Sequence, residues 1–182
     1  MIRLPKLYVK RKDIPIQSLF DLASSDTRDK AAGIYTPDGK PEVDNLIRST
    51  TIKVGPTPED FPDICKHLLD MINIWDGTLD PNDYVVKEFN YLKYGKGDKF
   101  TRHRDQIKKK GKAFRIFSTS TIIKVSDDLE GGHFRMWDHL HTQVDVHIDV
   151  GETLFFDSRT PHEITEVIQG EREVLVAWIY KK

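Results

Sequence analysis

The sequence predicts a mainly β fold of the α+β class, and three observations predict it. After Pro81 the hydrophobic pattern runs in short, strand-length segments; glycine and proline turns separate them; and the clearest helical pattern lies wholly before them. Closely spaced strands with glycine turns suggest a β sandwich or barrel, with the early helices packed on one face.

The elements follow in order. Ile16 to Ala23 has helical spacing after Pro15, and the turn-rich Tyr35-Thr36-Pro37-Asp38-Gly39 to Pro41 reads as a loop. Ser49 to Val54 is β-branched and stops at Gly55-Pro56, which predicts a strand. The main helix is predicted to begin near Thr57, with Pro58-Glu59-Asp60 as its acidic first turn. Phe61, Ile64, Cys65, Leu68, Leu69, Met71, Ile72 and Trp75 then recur at spacings of three and four, so that stripe, with Cys65 and His67, is expected in the core. Strands are predicted over Val85–Tyr94, Phe114–Val125, His133–Trp137, Val144–Val150, Thr153–Asp157, His162–Ile168 and Arg172–Tyr180. With no repeat or long linker, residues 1–182 read as one domain: a helical support region over about 1–80 and a β core over about 85–180.

Composition narrows the classes. A chain of 182 residues can bury a substantial core, and 38% apolar with 31% charged residues excludes both a disordered and a membrane-spanning chain. The longest apolar runs, such as Thr153-Leu154-Phe155-Phe156, cannot cross a bilayer, and the N-terminal residues lack a secretory apolar stretch, so a cytoplasmic protein is expected. A net charge of −1 gives no general attraction to nucleic acid or membrane. The lone Cys65 excludes an internal disulfide and a thiolate zinc cage. The oligomeric state is not legible.

Seven histidines remain, and one pattern among them carries chemistry. In His103-Arg104-Asp105 an imidazole and a carboxylate are two residues apart, so on an extended chain both face one point. A facial two-histidine, one-carboxylate site for non-haem Fe(II) needs a second histidine from a distant strand. His162, after Pro161 at the start of a predicted strand, is the candidate. If Gln169-Gly170-Glu171 is a hairpin turn, Ile168 lies opposite Arg172 and His162 opposite Trp178, so His162, Arg172 and Trp178 share the inner face. Arg172 then sits roughly 20 Å along the strand from His162, a gap that a metal-bound diacid could bridge. A buried arginine there must be paired, and its planar fork suits a carboxylate.

These residues resemble a known family. Tyr94-x-x-Gly97-x-x-Phe100-x-x-His103-x-Asp105 is similar to the Tyr-x-x-Gly-x-x-Tyr-x-x-His-x-Asp pattern of the prolyl 4-hydroxylase branch of the Fe(II)/2-oxoglutarate dioxygenases, with phenylalanine at the second aromatic position. The likeness continues through Glu130-Gly131-Gly132, Gly151-Glu152-Thr153-Leu154-Phe155-Phe156, Pro161-His162-Glu163 and Gly170-Glu171-Arg172, over roughly residues 85 to 180. It implies a double-stranded β-helix of the jelly-roll, cupin-like kind, with Fe(II) held by His103, Asp105 and His162. It further implies that Arg172 binds the distal carboxylate of 2-oxoglutarate and that Tyr94 hydrogen-bonds the cosubstrate. Trp178 matches a tryptophan near the metal, and Thr119, or another hydroxyl between Ser118 and Thr121, would complete the carboxylate site. Collagen-type enzymes carry lysine at the Arg172 position, a departure that weakens a collagen-like substrate. The implied reaction couples decarboxylation of 2-oxoglutarate by O2 to C–H hydroxylation, with ascorbate as a candidate reductant.

A prolyl residue in a peptide or protein is the first substrate expectation, and a free amino acid or other small molecule the second. Nucleic-acid dealkylation ranks last, because Trp178 stands where that family has a second arginine. From another class, the chain is a non-catalytic metal-binding β-barrel module, a reading that four intact site residues oppose. His133, His139, His141 and His147 lack ligand spacing and are expected to face solvent or satisfy the core. Lys108-Lys109-Lys110-Gly111-Lys112 reads as a solvated loop, or else as a lid that meets an acidic partner.

Overall fold

The computed structural model describes residues 6–24, 28–31, 34–35, 41–42, 47–54, 57–106 and 115–182. In chain order its first half contains β1 (Val9–Arg11), α1 (Ile16–Ser24), β2 (Arg28–Ala31), β3 (Ile34–Tyr35), β4 (Pro41–Glu42), β5 (Arg48–Ser49), β6 (Thr51–Val54), α2 (Pro62–Trp75), β7 (Tyr84–Tyr94) and β8 (Lys99–His103). The second half contains β9 (Arg115–Val125), β10 (Glu130–Gly131), β11 (Phe134–Trp137), β12 (Gln143–Val146), β13 (Thr153–Asp157), β14 (His162–Ile164), β15 (Val167–Gln169) and β16 (Arg172–Lys181). The lysine run 108–112 lies outside the described residues, as do positions 36–40 of the expected 35–41 loop.

Two antiparallel sheets form the frame. The larger runs β1-β13-β9-β16-β7-β6-β2 and the smaller β12-β11-β14-β8-β5, with β10–β15 and β3–β4 as separate short pairs. Between the sheets lies one apolar cluster, including Leu92, Ile122, Phe134, Met136, Phe156, Ile164 and Val174. A second cluster joins Leu19 and Leu22 of α1 and Ile64, Leu68, Met71 and Ile72 of α2 to Phe117, Phe155, Leu175, Ala177 and Ile179. Strand β16 shows why: Val174 and Val176 belong to the inner cluster while Leu175, Ala177 and Ile179 belong to the helical one, the period of two of a strand buried on both faces. The architecture is the double-stranded β-helix, with the helices on the outer face of the larger sheet. No helix among the described residues is long and apolar enough to cross a membrane.

Several boundaries differ from expectation for local reasons. The helix predicted from Thr57 begins at Pro62. The Asp60 carboxylate accepts hydrogen bonds from both the backbone N–H and the hydroxyl of Thr57, closing a separate 3-10 turn over Pro58–Asp60. Phe61, held off the helical region before Pro62, then interrupts the two. The single strand expected over Ser49–Val54 breaks at Thr50, whose hydroxyl donates to the Lys93 carbonyl at 2.7 Å where the chain passes from the smaller sheet (β5) to the larger (β6). Likewise His162–Ile168 divides into β14 and β15, and Val144–Val150 stops at Val146.

The expected hairpin between the His162 and Arg172 strands does not form, which is the main correction. β14 pairs with β11 and β8, whereas β16 crosses to the larger sheet and pairs with β7 and β9, so Trp178 faces Glu88 and Ser118, not His162. Gly170 makes the crossing possible: its φ is +75°, and an added Cβ would lie 2.4 Å from the Ser126 hydroxyl. The estimate of roughly 20 Å along one strand therefore lapses, since the two side chains approach from opposite sheets.

Within α2, His67 is only 4% exposed and Cys65 half-buried. Burial, reinforced by Arg11 and opposed by Asp13 and Asp70, lowers the His67 pKa from 6.5 to about 4. An unfolded chain protonates His67 near its ordinary value while the folded chain keeps it neutral. Its contribution to stability is thus complete above about pH 6.5 and is lost as pH falls toward about 4. The urea midpoint of His67→Gln is expected to fall less between pH 7.5 and pH 5 than that of the wild type. Equal falls in both proteins would refute the assignment.

Candidate active site

Antiparallel pairing brings the two histidines together. His162, the first residue of β14, is the direct register partner of His103, the last residue of β8, so both project from one face of the smaller sheet. Their ring centroids are 4.2 Å apart. Strand β8 ends at His103, and Asp105 is positioned instead by the loop after β13: the Asp105 and Gln106 amides each donate to the Ser158 carbonyl at 3.0 Å. One carboxylate oxygen then lies 3.6 Å from His103 Nε2 and the other 3.6 Å from His162 Nε2. Within the described residues this is the one group of three metal-competent side chains, its ligand atoms all within 4.8 Å of each other.

Both imidazoles are oriented by their own strands. His103 Nδ1 donates to the Thr101 carbonyl at 2.8 Å, and His162 Nδ1 to the Thr160 carbonyl at 3.0 Å. Placing the N–H on Nδ1 leaves each Nε2 lone pair aimed at the shared point, as an imidazole ligand requires. Phe100 stacks on His103 at 3.5 Å between centroids, and Phe134 and Phe156 enclose His162. Burial, followed by the neighbouring His103, lowers the His162 pKa to about 4, so the ring is neutral and available at physiological pH. Burial opposes ionisation of Asp105, but His162, then His103 and Arg115, outweigh it and hold the carboxyl well below the usual carboxylate range. Two imidazole nitrogens and one carboxylate on one face constitute a donor set for a ferrous ion with other positions open.

The triad opens into a cavity between the sheets, lined also by Arg48, Tyr94, Thr119, Ser120, Val176 and Trp178. Trp178 keeps the inward side of β16 by parity, although its partner strand differs from the expected one. Its indole nitrogen is buried without a partner among the described residues, and the Arg115 guanidinium stacks 3.7 Å from its ring centroid. Thr119 lies opposite Ala177 and its hydroxyl donates to the Ala177 carbonyl at 3.3 Å. Ser120, opposite Val176 of the inner cluster, carries the hydroxyl on the inward side.

Arg172 supplies the test for a diacid. It is 3% exposed and directly opposite Tyr94 on β7, its guanidinium carbon 5.8 Å from the Tyr94 ring centroid. One nitrogen donates to the Gly132 carbonyl, while Nε and Nη2 are buried with no partner among the described residues. Gly132 permits this approach: at φ +62° it has no side chain, and an added Cβ would come within 3.2 Å of the arginine. Burial lowers the Arg172 pKa only to about 10, so a full positive charge remains. Buried donors on a cation, with no acid facing them among the described residues, fit a carboxylate of a small acid.

Sequence reasoning missed Arg48 and Arg115. Arg48 reaches the cavity because β5 pairs with β8, placing Arg48 opposite Phe100. Arg115 opens β9 and bonds to Glu88 at 2.7 Å. Neither belongs to a motif, and only inter-strand register brings them in. His133, His139, His141 and His147 are exposed, and His147 bonds to Asp149.

Comparison with known proteins agrees with this geometry. A PKHD-type hydroxylase of Rhizorhabdus wittichii is 31% identical over 91 residues, which cover 47% of this chain and 40% of that protein, so the chain spans less than half the length of that relative. Among solved structures, a Pseudomonas putida prolyl-4-hydroxylase superposes with a TM-score of 0.63 at 19% identity, covering 96% of this chain and 92% of the other. A Trichoplax adhaerens prolyl hydroxylase, solved with a peptide fragment of the oxygen degradation domain of hypoxia inducible factor, gives 0.64 at 16% identity over 96% and 83%. The sequence pattern of the 2OG-Fe(II) oxygenase superfamily matches residues 89–180, just over half the chain and the stretch that carries His103, Asp105, His162 and Arg172; to that superfamily this chain belongs.

Proposed function

We propose that the protein hydroxylates a C–H bond of a prolyl residue in a peptide or protein, consuming 2-oxoglutarate and O2 and releasing succinate and CO2. The observation that carries the reaction is the pairing of the His103–Asp105–His162 donor set with a buried arginine, two of whose donors have no acceptor among the described residues. When bound, ferrous iron supplies the oxidising chemistry. The chain's own residues do the rest. His103, Asp105 and His162 would hold the ion, Arg172 and Tyr94 would hold the far carboxylate of the cosubstrate, and Phe134, Phe156 and Val176 exclude water from its path. No side chain acts as nucleophile: Cys65 lies in α2, and burial raises its thiol pKa to about 11.

Solved structures of similar fold support a peptide substrate, two of them being prolyl hydroxylases and one holding a peptide. Arginine at position 172 favours a substrate other than collagen-like chains. We read residues 1–182 as one catalytic unit, since β1, β2, β5 and β6 join the two main sheets. A cytoplasmic setting accords with the lone thiol of Cys65.

Succinate release with Fe(II), 2-oxoglutarate and ascorbate tests the reading across proline-containing peptides, free amino acids and alkylated oligonucleotides. At least one prolyl peptide is expected to raise succinate release about tenfold or more over the uncoupled rate, an increase worth about 1.4 kcal/mol of barrier. Stimulation by amino acids alone would replace the peptide with a small molecule. No succinate under any condition would favour a non-catalytic module.

A further inference from the structure

We propose that Ser118 and Ser158 are a positioning pair of the metal site, which places the Asp105 carboxylate from the sheet opposite the two histidines. The proposal rests on the three-ligand reading above. His103 and His162 are register partners within the smaller sheet, so one ladder sets their separation. Asp105 lies beyond the end of β8, outside that ladder. Its amide and that of Gln106 donate to a single carbonyl, that of Ser158, so the position of Ser158 sets that of the carboxylate.

Ser158 is in turn tied to β9 of the larger sheet at two points. Its amide donates to the Ile116 carbonyl at 3.0 Å, and its hydroxyl shares a 2.8 Å hydrogen bond with the Ser118 hydroxyl. Both serines are fully buried, so bulk water does not compete for that bond. One attachment leaves a turn free to pivot; two fix the direction of the Ser158 carbonyl. The turn itself is held by Asp157, whose carbonyl accepts from the Thr160 amide and whose carboxylate accepts from the Arg159 amide, each at 2.8 Å. Three successive carbonyls of this turn meet the metal motif: those of Ser158, Arg159 and Thr160 receive the Asp105 amide, the Arg104 guanidinium and His162 Nδ1. His162 is also held by the pairing of β14 with β11 and β8, so loosening the turn falls first on Asp105. Ser118, one of the hydroxyls that the sequence offered for a carboxylate site, thereby serves the metal instead.

Titration of the full chain with Co(II), followed by the visible absorption of the bound ion, tests this without turnover; cobalt stands next to ferrous ion in affinity for such donors. Ser118→Ala and Ser158→Ala are each expected to bind Co(II) about fivefold more weakly, the loss of one hydrogen bond between neutral groups. The double variant is expected to stay within about twofold of either single one, because the two hydroxyls act through one bond. In both variants the Asp105 and Gln106 amides should exchange their hydrogens faster, while those of β14 keep the wild-type rate. Thr153→Val is the structural control. It deletes another fully buried hydroxyl bond between β9 and β13, Thr121 to Thr153 at 2.8 Å, which holds no part of the metal motif. It is expected to lose thermal stability comparably and to bind Co(II) as the wild type does. Wild-type affinity in both serine variants, an equal loss in Thr153→Val, or losses that multiply in the double variant would each overturn the proposal. Should Ser158→Ala fail to fold, Ser118→Ala decides alone, since it leaves the side chains of the turn intact. His162→Ala separates the two levels: if it abolishes the absorption while both serine variants bind as the wild type does, only the role of the serines fails. A wild type that binds no Co(II) overturns the metal site itself.

Discussion

His162→Ala is expected to remove stoichiometric Fe(II) binding and to lower succinate formation by more than about a hundredfold, since loss of even an outer partner of a metal ligand costs 10- to 100-fold. The expectation follows from where His162 sits. It is 5% exposed, its Nε2 is 3.6 Å from Asp105, and its Nδ1 is committed to the Thr160 carbonyl, so no nearby group can replace it. Stability should change in the same sense as in a typical core truncation. Removing a neutral ring beside Asp105 and His103 costs packing against Phe134 and Phe156, so the metal-free variant should be less stable than wild type. Metal titration followed by calorimetry checks the binding, and thermal unfolding with and without Fe(II) checks the coupling. The wild-type midpoint should rise with metal and that of the variant should not. A His162→Ala protein that binds iron as the wild type does would end the assignment of the triad.

Arg172→Met is expected to weaken 2-oxoglutarate binding by a factor of about 30 or more while leaving metal affinity unchanged, because truncating one partner of a buried charged contact costs about 2–5 kcal/mol. The sign for the unliganded protein is the reverse. Arg172 carries a buried charge with two unfilled donors, and a thioether of similar length removes that burden, so Arg172→Met should unfold at higher temperature than wild type when no cosubstrate is present. Adding 2-oxoglutarate should then stabilise wild type and leave the variant unmoved. If the variant is less stable and still binds the diacid, Arg172 is a structural cation held for the Gly132 carbonyl, and the cosubstrate is anchored elsewhere.

The residues that sequence alone exposed were those whose neighbours in the chain are also their neighbours in space. His103 and Asp105 are two residues apart, Thr101 and Thr160 each lie two before the histidine they hold, and the alternation of β16 that turns Arg172 and Trp178 inward is a property of one strand. What failed was pairing between distant strands. A hairpin is the default when a glycine turn joins two β segments, and Gln169-Gly170-Glu171 carried that signal; yet β16, buried on both faces, gains more at the centre of the larger sheet between β7 and β9. Arg48 was invisible for the same reason, since its place over the Phe100 ring depends on β5 meeting β8 across more than fifty residues. Thr119 was named among equivalent hydroxyls, and only the register opposite Ala177 and Val176 distinguishes it from Ser120.

The carbonyl brackets on the two imidazoles have a chemical corollary. Because Thr101 and Thr160 lock the rings through the main chain, the nitrogen pair is poised before any ion arrives, and little rearrangement accompanies capture. A rigid receptor of this kind is quick but indiscriminate: nickel, copper and zinc all outrank ferrous ion for nitrogen and oxygen donors. Occupancy by iron is therefore a matter of supply, and protein handled in air with trace zinc or nickel would emerge inert yet intact, awaiting exchange.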